Sequence, residues 1–141
     1  MIRNFVRIGG RAQIYPIFYS HIQTDGAYTK KAQAVALLLK SSDHSAEFKK
    51  VHRILAQSST EAEWASVYHG IQFALEHNEP AVALENDDFG VISALITNRA
   101  LKHDYAKHYR DKIKIIVGST AWTGIRWIPR ESNRADDLFK K

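Results

Sequence analysis

The arrangement of apolar and polar positions changes character near residue 58. Before that point, apolar residues come in short runs of strand length. Ile14 to Thr24 is rich in β-branched and aromatic residues, is broken early by Pro16, and predicts a first strand over Phe18 to Asp25. Gly26 and the polar Thr29-Lys30-Lys31 predict a bend after it. Ala32 to Lys40 is an apolar run with the length of a buried strand. Ser41 to Ser45 is a turn cluster. Glu47 to Gln57 then sets Phe48, Val51 and Ile54-Leu55 among Lys49, Lys50, His52 and Arg53, which reads as a third strand. The first half is therefore expected to be an antiparallel meander.

After Ser58-Ser59-Thr60, a helix-start signal, the period lengthens. Trp64, Val67, Tyr68, Ile71, Ala74 and Leu75 recur at three- and four-residue spacing, predicting a long helix that ends near His77-Asn78, before Pro80. Ala81 to Leu84 reads as a short strand running into Glu85-Asn86-Asp87-Asp88. Helices are expected over Phe89 to Ile96 and Leu101 to Lys112, strand character at Ile113 to Val117 and at Gly124 to Ile128, and a last helix from Asn133 capped by Ser132. Three strands followed by alternating helices and strands imply an α/β fold. Its mixed sheet of five strands has three antiparallel strands, then parallel additions after helical crossovers, with helices flanking it. Residues 1–17 stand apart, since Gly9-Gly10 separates a stretch with Arg3, Arg7 and Arg11 from the rest of the chain. That stretch reads as a tail or extra edge strand, with a nucleic-acid-touching arm as the alternative, and residues 18–141 as the domain.

Composition narrows the class. The chain has 141 residues, enough for a substantial core, and its 45% apolar and 25% charged content fits a globular protein, not a disordered or collagen-like one. With no cysteine there is no disulfide scaffold, thiolate nucleophile or zinc–thiolate centre. No apolar run approaches the roughly 20 residues of a membrane span, and the N-terminus lacks a signal-peptide core. A cytoplasmic monomer without membrane or obligate protein partner is expected. The net charge of +5 is by itself too modest to identify a polyanionic partner.

Four carboxylates change that picture by where they fall. Asp25 ends the first strand, Glu63 lies in the first turn of the long helix, Asp87 follows the short strand, and Asp136 opens the last helix. In open α/β sheets, sites form outside the carboxyl ends of strands, so these side chains can converge. Each also has an ordinary reading: Asp25 shaping a turn, Glu63 closing a capping box with Thr60, Asp87 or Asp88 capping the next helix, and Asp136 or Asp137 favouring a helix start. Taken together, acids that would repel one another call for divalent cations, and Mg²⁺ bound by a few carboxylates suits phosphodiester chemistry. Removing the four leaves 20 basic against 11 acidic residues, a charge suited to a polyanion. The basic run Arg99, Lys102, Lys107, Arg110, Lys112 and Lys114 reads first as a solvated helix face, and Trp64, Trp122 and Trp127 as core.

The same blocks resemble a known family. Thr24-Asp25-Gly26 resembles the first-strand motif of ribonuclease H, and Ala62-Glu63-Trp64-Ala65 its helix start. Asn86-Asp87-Asp88-Phe89-Gly90-Val91-Ile92 is similar to its strand-end aspartate. Trp127-Ile128-Pro129-Arg130-Glu131-Ser132-Asn133-Arg134-Ala135-Asp136-Asp137-Leu138 is similar to its C-terminal segment. The resemblance covers residues 18–141 and implies a type 1-like ribonuclease H domain. It implies Asp25, Glu63, Asp87 and Asp136 as catalytic metal ligands for two Mg²⁺, with Mn²⁺ as a substitute. The implied reaction is in-line attack of water on the RNA strand of an RNA–DNA hybrid, leaving a 5′-phosphate and a 3′-hydroxyl. Gly26, Ala27, Arg130 and Asn133 are implied as substrate contacts. Three departures accompany it. The spacing after Asn133 is one residue short, leaving Asp137 as an alternative to Asp136. Asp88 replaces the usual serine. The histidine many members carry before the last helix has no counterpart after His108. Another nuclease of the same superfamily, such as a junction resolvase or DNA-directed enzyme, or a non-catalytic hybrid-binding module, would share these features.

Overall fold

Strand β2 (Ser20–Tyr28) is paired on both sides and organises the sheet. The computed structural model describes residues 2–140, so Met1 and Lys141, the outer ends of the two expected segments, lie outside the described residues. On one flank, β3 (Gln33–Lys40) and β4 (Glu47–Arg53) continue antiparallel to β2. On the other, β5 (Ala81–Asn86) and β6 (Trp122–Trp127) run parallel to it. A further strand, β1 (Val6–Gly9), closes the edge antiparallel to β6 and gives the order β1-β6-β5-β2-β3-β4. The fold is the mixed α/β architecture expected from the sequence. The sheet has six strands rather than five because part of the N-terminal stretch supplies an edge.

Side-chain alternation assigns the two faces of the sheet. Ile22, Val35, Leu37, Leu39, Val82, Leu84 and Ile125 point to one face and form the main core with α1 (Ser59–Glu76), α2 (Phe89–Thr97) and α3 (Asp104–Val117). The intervening residues point to the other face, which carries no long helix among the described residues. One end of that face is covered by Phe5, packed with Ala81, Ala83 and Trp122. The other end is covered by the 3₁₀ segment Arg134–Phe139, whose Ala135, Leu138 and Phe139 rest on Ala36 and Leu38. Between the two patches lies a polar strip. There the buried Glu85 accepts from Gln23 Nε2 (2.9 Å), pairs with His21 Nε2 (2.7 Å) and forms an ion pair with Arg126.

Four expectations needed correction. The first strand does not stop at Asp25: it begins at Ser20, leaves Phe18 exposed, and runs through Gly26, which pairs with Val35, to Tyr28. The bend falls later, where Thr29 N–H bonds to Ala32 O (2.9 Å). The third strand ends at Arg53, not Gln57. Ile113 to Val117 is not a strand but the last turn of α3. Ile113 and Val117, four residues apart, are buried while Ile115 is exposed, so packing of one helical face overrides the weak β preference of branched residues. The last helix is a 3₁₀ segment capped by Asn133 rather than Ser132, since Asn133 Oδ1 accepts from Ala135 N–H (3.1 Å).

The coverage by Phe5 yields a stability prediction. Its ring is 4% exposed and lies 4.5 Å beneath the Arg126 guanidinium. Phe5→Ala is expected to cost roughly 3–4 kcal/mol in urea unfolding. A loss under about 1 kcal/mol would show that the N-terminal stretch adds nothing to the core.

Candidate active site

The site is built where α1 touches β2. A Cβ on Gly26 would stand 2.4 Å from the Ala62 carbonyl carbon and 2.7 Å from Glu63 N, so only glycine allows this approach. At that distance Gly26 N–H donates to Glu63 Oε1 (2.9 Å), and the strand backbone fixes the helix carboxylate beside Asp25.

The helix starts leave these acids free. Ser58, not Thr60, caps α1: its hydroxyl accepts from Glu61 N–H (3.1 Å), and Glu61 Oε1 accepts from Gln57 N–H (2.9 Å). Glu61 therefore takes the acidic position of the cap, reaching back to the residue before Ser58, and Glu63, two residues on, is free of that duty. Asp88 in turn caps α2 by accepting from Val91 N–H (3.0 Å), which spares Asp87. Asn86, which the sequence pattern did not single out, ties the elements together. Its fully buried Nδ2 lies 3.0 Å from both Thr24 O and Thr24 Oγ1 and 3.2 Å from Ser66 Oγ, and its Oδ1 accepts from Asp88 N–H (2.7 Å). A polar residue closing a buried strand was the only sign of it in the sequence.

Asp25, Glu63 and Asp87 each offer a carboxylate oxygen, and these oxygens lie within 4.8 Å of one another. With Asp136 they line a cleft of about 420 Å³, and Gly26, Ala27 and Arg130 share its walls. Asp137 does not line the cleft: its side chain is 72% exposed against 21% for Asp136. Asn133 also lies off the walls. It is buried, with its amide donating to Thr24 O (3.0 Å) beneath the cleft. Trp64 and Trp122 are core residues as expected, but Trp127 is 43% exposed. It donates from Nε1 to Asp87 O (3.0 Å) and meets the exposed Phe89 edge-to-face at 6.1 Å. Much of the basic run is engaged within the chain. Arg110 bonds to Arg99 O, Lys114 to Asn98 Oδ1, and Lys112 lies over Tyr68.

Burial first, and then the crowding of like charge, sets the electrostatics of the cleft. Burial, then the charges of Asp25 and Asp87, push Glu63 up to about 9. Burial, then the charge of Asp87 and contact with Asp136, raise Asp25 to about 7 despite its bond with Glu63. Burial also raises Asp87, although the Asn133 amide and the Arg130 guanidinium work against it. The donors are all carboxylate oxygens, hard ligands without nitrogen or sulfur, and their repulsion is of the kind a divalent cation relieves. The residues present therefore fit a divalent metal.

A family described as reverse transcriptase-like matches residues 23–141. The chain belongs to this ribonuclease H-like family. Solved structures share its fold. Ribonuclease H1 of the halophilic archaeon Halobacterium salinarum is 22% identical, with a TM-score of 0.73 over 85% of this chain and 93% of that one. The N-terminal ribonuclease H domain of a Mycobacterium tuberculosis protein, solved as a maltose-binding-protein fusion, is 18% identical, with a TM-score of 0.75 over 85% and 95%. The ribonuclease H1 called LC11, isolated from compost and solved in complex with an RNA/DNA hybrid, is 17% identical, with a TM-score of 0.70 over 84% and 92%. No curated protein matches the chain.

In this ribonuclease H-like domain the raised carboxyl groups have a thermodynamic consequence. Without metal, folded Asp25 and Glu63 keep protons that the unfolded chain releases. Stability therefore falls as pH rises from the ordinary carboxylate range toward about 9. Thermal melts in EDTA are expected to show that slope. Asp25→Asn is expected to flatten it and to raise Tm near pH 8 by on the order of 5 °C. Added Mg²⁺ is expected to raise the wild-type Tm and to leave that of the variant nearly unchanged. A wild-type Tm independent of pH across this range would contradict the raised carboxyl groups of Asp25 and Glu63.

Proposed function

We propose that the chain is a metal-dependent endoribonuclease that hydrolyses the RNA strand of RNA–DNA hybrids, leaving a 5′-phosphate and a 3′-hydroxyl. The observation that carries this reading is the convergence of Asp25, Glu63 and Asp87 within 4.8 Å, in a cleft shared with Asp136. Asp25, Glu63, Asp87 and Asp136 would hold two Mg²⁺, or Mn²⁺ in their place. Such ions, when bound, activate water for in-line attack and stabilise charge on the leaving oxygen.

The chain's own groups do the rest. Gly26 N–H holds one oxygen of Glu63 and leaves the other for the cleft or for the RNA 2′-hydroxyl, the group that separates RNA from DNA. The backbone of Gly26 and Ala27 forms a rim without bulk where a minor groove can approach. Arg130 supplies positive charge for a phosphate beside Asp87. Asn133 acts from below, holding the last segment to β2. Phe89 and Trp127 offer apolar faces next to Asp87 on which a base or sugar stacks. The hybrid bound by the LC11 enzyme, which shares the fold, supports this substrate class.

The direct test is cleavage of a labelled hybrid with Mg²⁺ or Mn²⁺, beside double-stranded RNA, duplex DNA and a four-way junction. Asp25→Asn and Asp87→Asn are each expected to lower kcat by more than the roughly 100-fold typical of groups that merely support metal ligands. Hybrid left intact under both metals would sink the proposal, and preferential cutting of the junction would move it to a resolvase.

The aromatic rim is tested separately. Trp64 and Trp122 are buried, so Trp127 is the tryptophan able to report on ligand at the surface. With Ca²⁺ in place of Mg²⁺, hybrid is expected to quench tryptophan emission in wild type but not in Trp127→Phe. Phe89→Ala is expected to raise KM by roughly tenfold with little change in kcat. Unchanged emission and KM would remove these residues from the substrate path.

A further inference from the structure

Asp136 differs from the other cleft acids in what positions it. Asp25 lies on β2, Glu63 on α1 and Asp87 just after β5, whereas Asp136 lies on a six-residue 3₁₀ segment. Such a segment has little stability of its own. Its placement depends on contacts with the sheet, and two of these run through one side chain. Gln23 Oε1 accepts from Arg134 N–H (3.0 Å), and Gln23 Nε2 donates to Ser132 O (3.3 Å). Ser132 and Arg134 bracket the cap residue Asn133, so Gln23 grips the backbone where the segment begins.

The grip works only if the Gln23 amide points one way. Its Nε2 also donates to Glu85 Oε1 (2.9 Å), and Glu85 is held in turn by His21 (2.7 Å) and Arg126. A carboxylate accepts and does not donate, so Glu85 fixes that end of the amide as nitrogen. The oxygen then faces Arg134 N–H. The reverse orientation would set NH₂ against N–H, and oxygen against both Ser132 O and Glu85. Gln23 is 8% and Glu85 3% exposed, so water cannot easily relieve that mismatch. The pair also lies directly under the site, since Gln23 precedes Asp25 and Glu85 precedes Asp87 by two residues on the same face of the sheet.

We propose that Gln23, oriented by Glu85, is a positioning residue that sets Asp136 in the cleft and so completes the metal site. This rests on reading the acidic cleft as a divalent-metal centre. It assigns to the polar strip a role separate from covering the sheet. Asn133 bonding to Thr24 O, and Ala135 buried against Ala36 and Leu38, keep the segment docked when Gln23 is changed. Loss of Gln23 therefore alters placement more than folding.

The test is a double-mutant cycle read by calorimetric titration with Mn²⁺, which requires no catalysis. Asp136→Asn and Gln23→Met are each expected to weaken Mn²⁺ binding roughly tenfold, and the double variant is expected to bind no more weakly than Asp136→Asn alone. Glu85→Gln, which keeps the shape but lets the amide turn over, is expected to reproduce the effect of Gln23→Met, and it carries the test should Gln23→Met fail to fold. Full additivity in the double variant, or wild-type Mn²⁺ affinity in both Gln23→Met and Glu85→Gln, would overturn the positioning role. Absence of Mn²⁺ binding by the wild-type protein would instead overturn the metal-centre reading, and this inference with it.

Discussion

The site depends on how closely α1 lies against β2. The contact is made by a stripe of small residues at four-residue spacing: Ala62, Ser66, Gly70 and Ala74, all buried. At one end Gly26 yields to the backbone of Ala62. Further along, a Cβ on Gly70 would stand 2.4 Å from Thr24 Cγ2. A glycine within a helix costs about 1 kcal/mol relative to alanine, and here that loss is offset by close packing over the sheet. The low seat of α1 brings Glu63 within reach of the Gly26 N–H, Ser66 within reach of Asn86, and Asn86 within reach of Thr24. A larger side chain in the stripe would lift the helix and take Glu63 away from Asp25.

The same sheet face shows how the chain separates a compensated carboxylate from the crowded carboxylates of the cleft. Glu85 and Asp87 lie two residues apart, and both are subject to burial. For Glu85, burial is outweighed by His21, Gln23 and Arg126, which together hold its carboxyl down at about 2. Asp87 has Asn133 and Arg130 on one side and Asp136 on the other, and its carboxyl is raised. Glu85 is fully supplied with donors, whereas the cleft acids face one another. That withheld compensation is destabilising in the bare protein, and it is what makes the cleft receptive to a cation.

Fold class was legible because the pattern changes character near residue 58 and the change is physical: short apolar runs of strand length in the meander, then three- and four-residue spacing in α1. What misled the reading were places where a local preference met a stronger tertiary demand. The run Ile113 to Val117 looks like a strand, yet Ile113 and Val117 complete the buried stripe of α3. Gly26 looks like a turn residue, yet it sits within a paired strand because a helix needs the space its side chain would fill. The sixth strand was half legible: Val6 and Ile8 alternate with Arg7 and Gly9, but four residues form an edge only when β6 is there to receive them.

Within the site, legibility tracks the element that carries each acid. Asp25, Glu63 and Asp87 are placed by strand ends and a helix start, and those are visible as pattern. Capping had to be resolved by geometry. Ser58 with Glu61, and Asp88 with Val91, take the capping duties that Glu63 and Asp87 had seemed equally suited to perform. The fourth acid is of another kind. Asp136 and Asp137 are adjacent and chemically identical, and in a 3₁₀ segment neighbouring side chains diverge by about 120° per residue. Only one can face the cleft, and which one does is decided by neither. It is decided by Ala135, whose burial against Ala36 and Leu38 fixes the rotation of the segment, and by Asn133, whose amide fixes its start on Thr24. Selection of Asp136 thus follows from an alanine and an asparagine that do not line the cleft; the family resemblance named Asp136, but it supplied no physical reason for that choice.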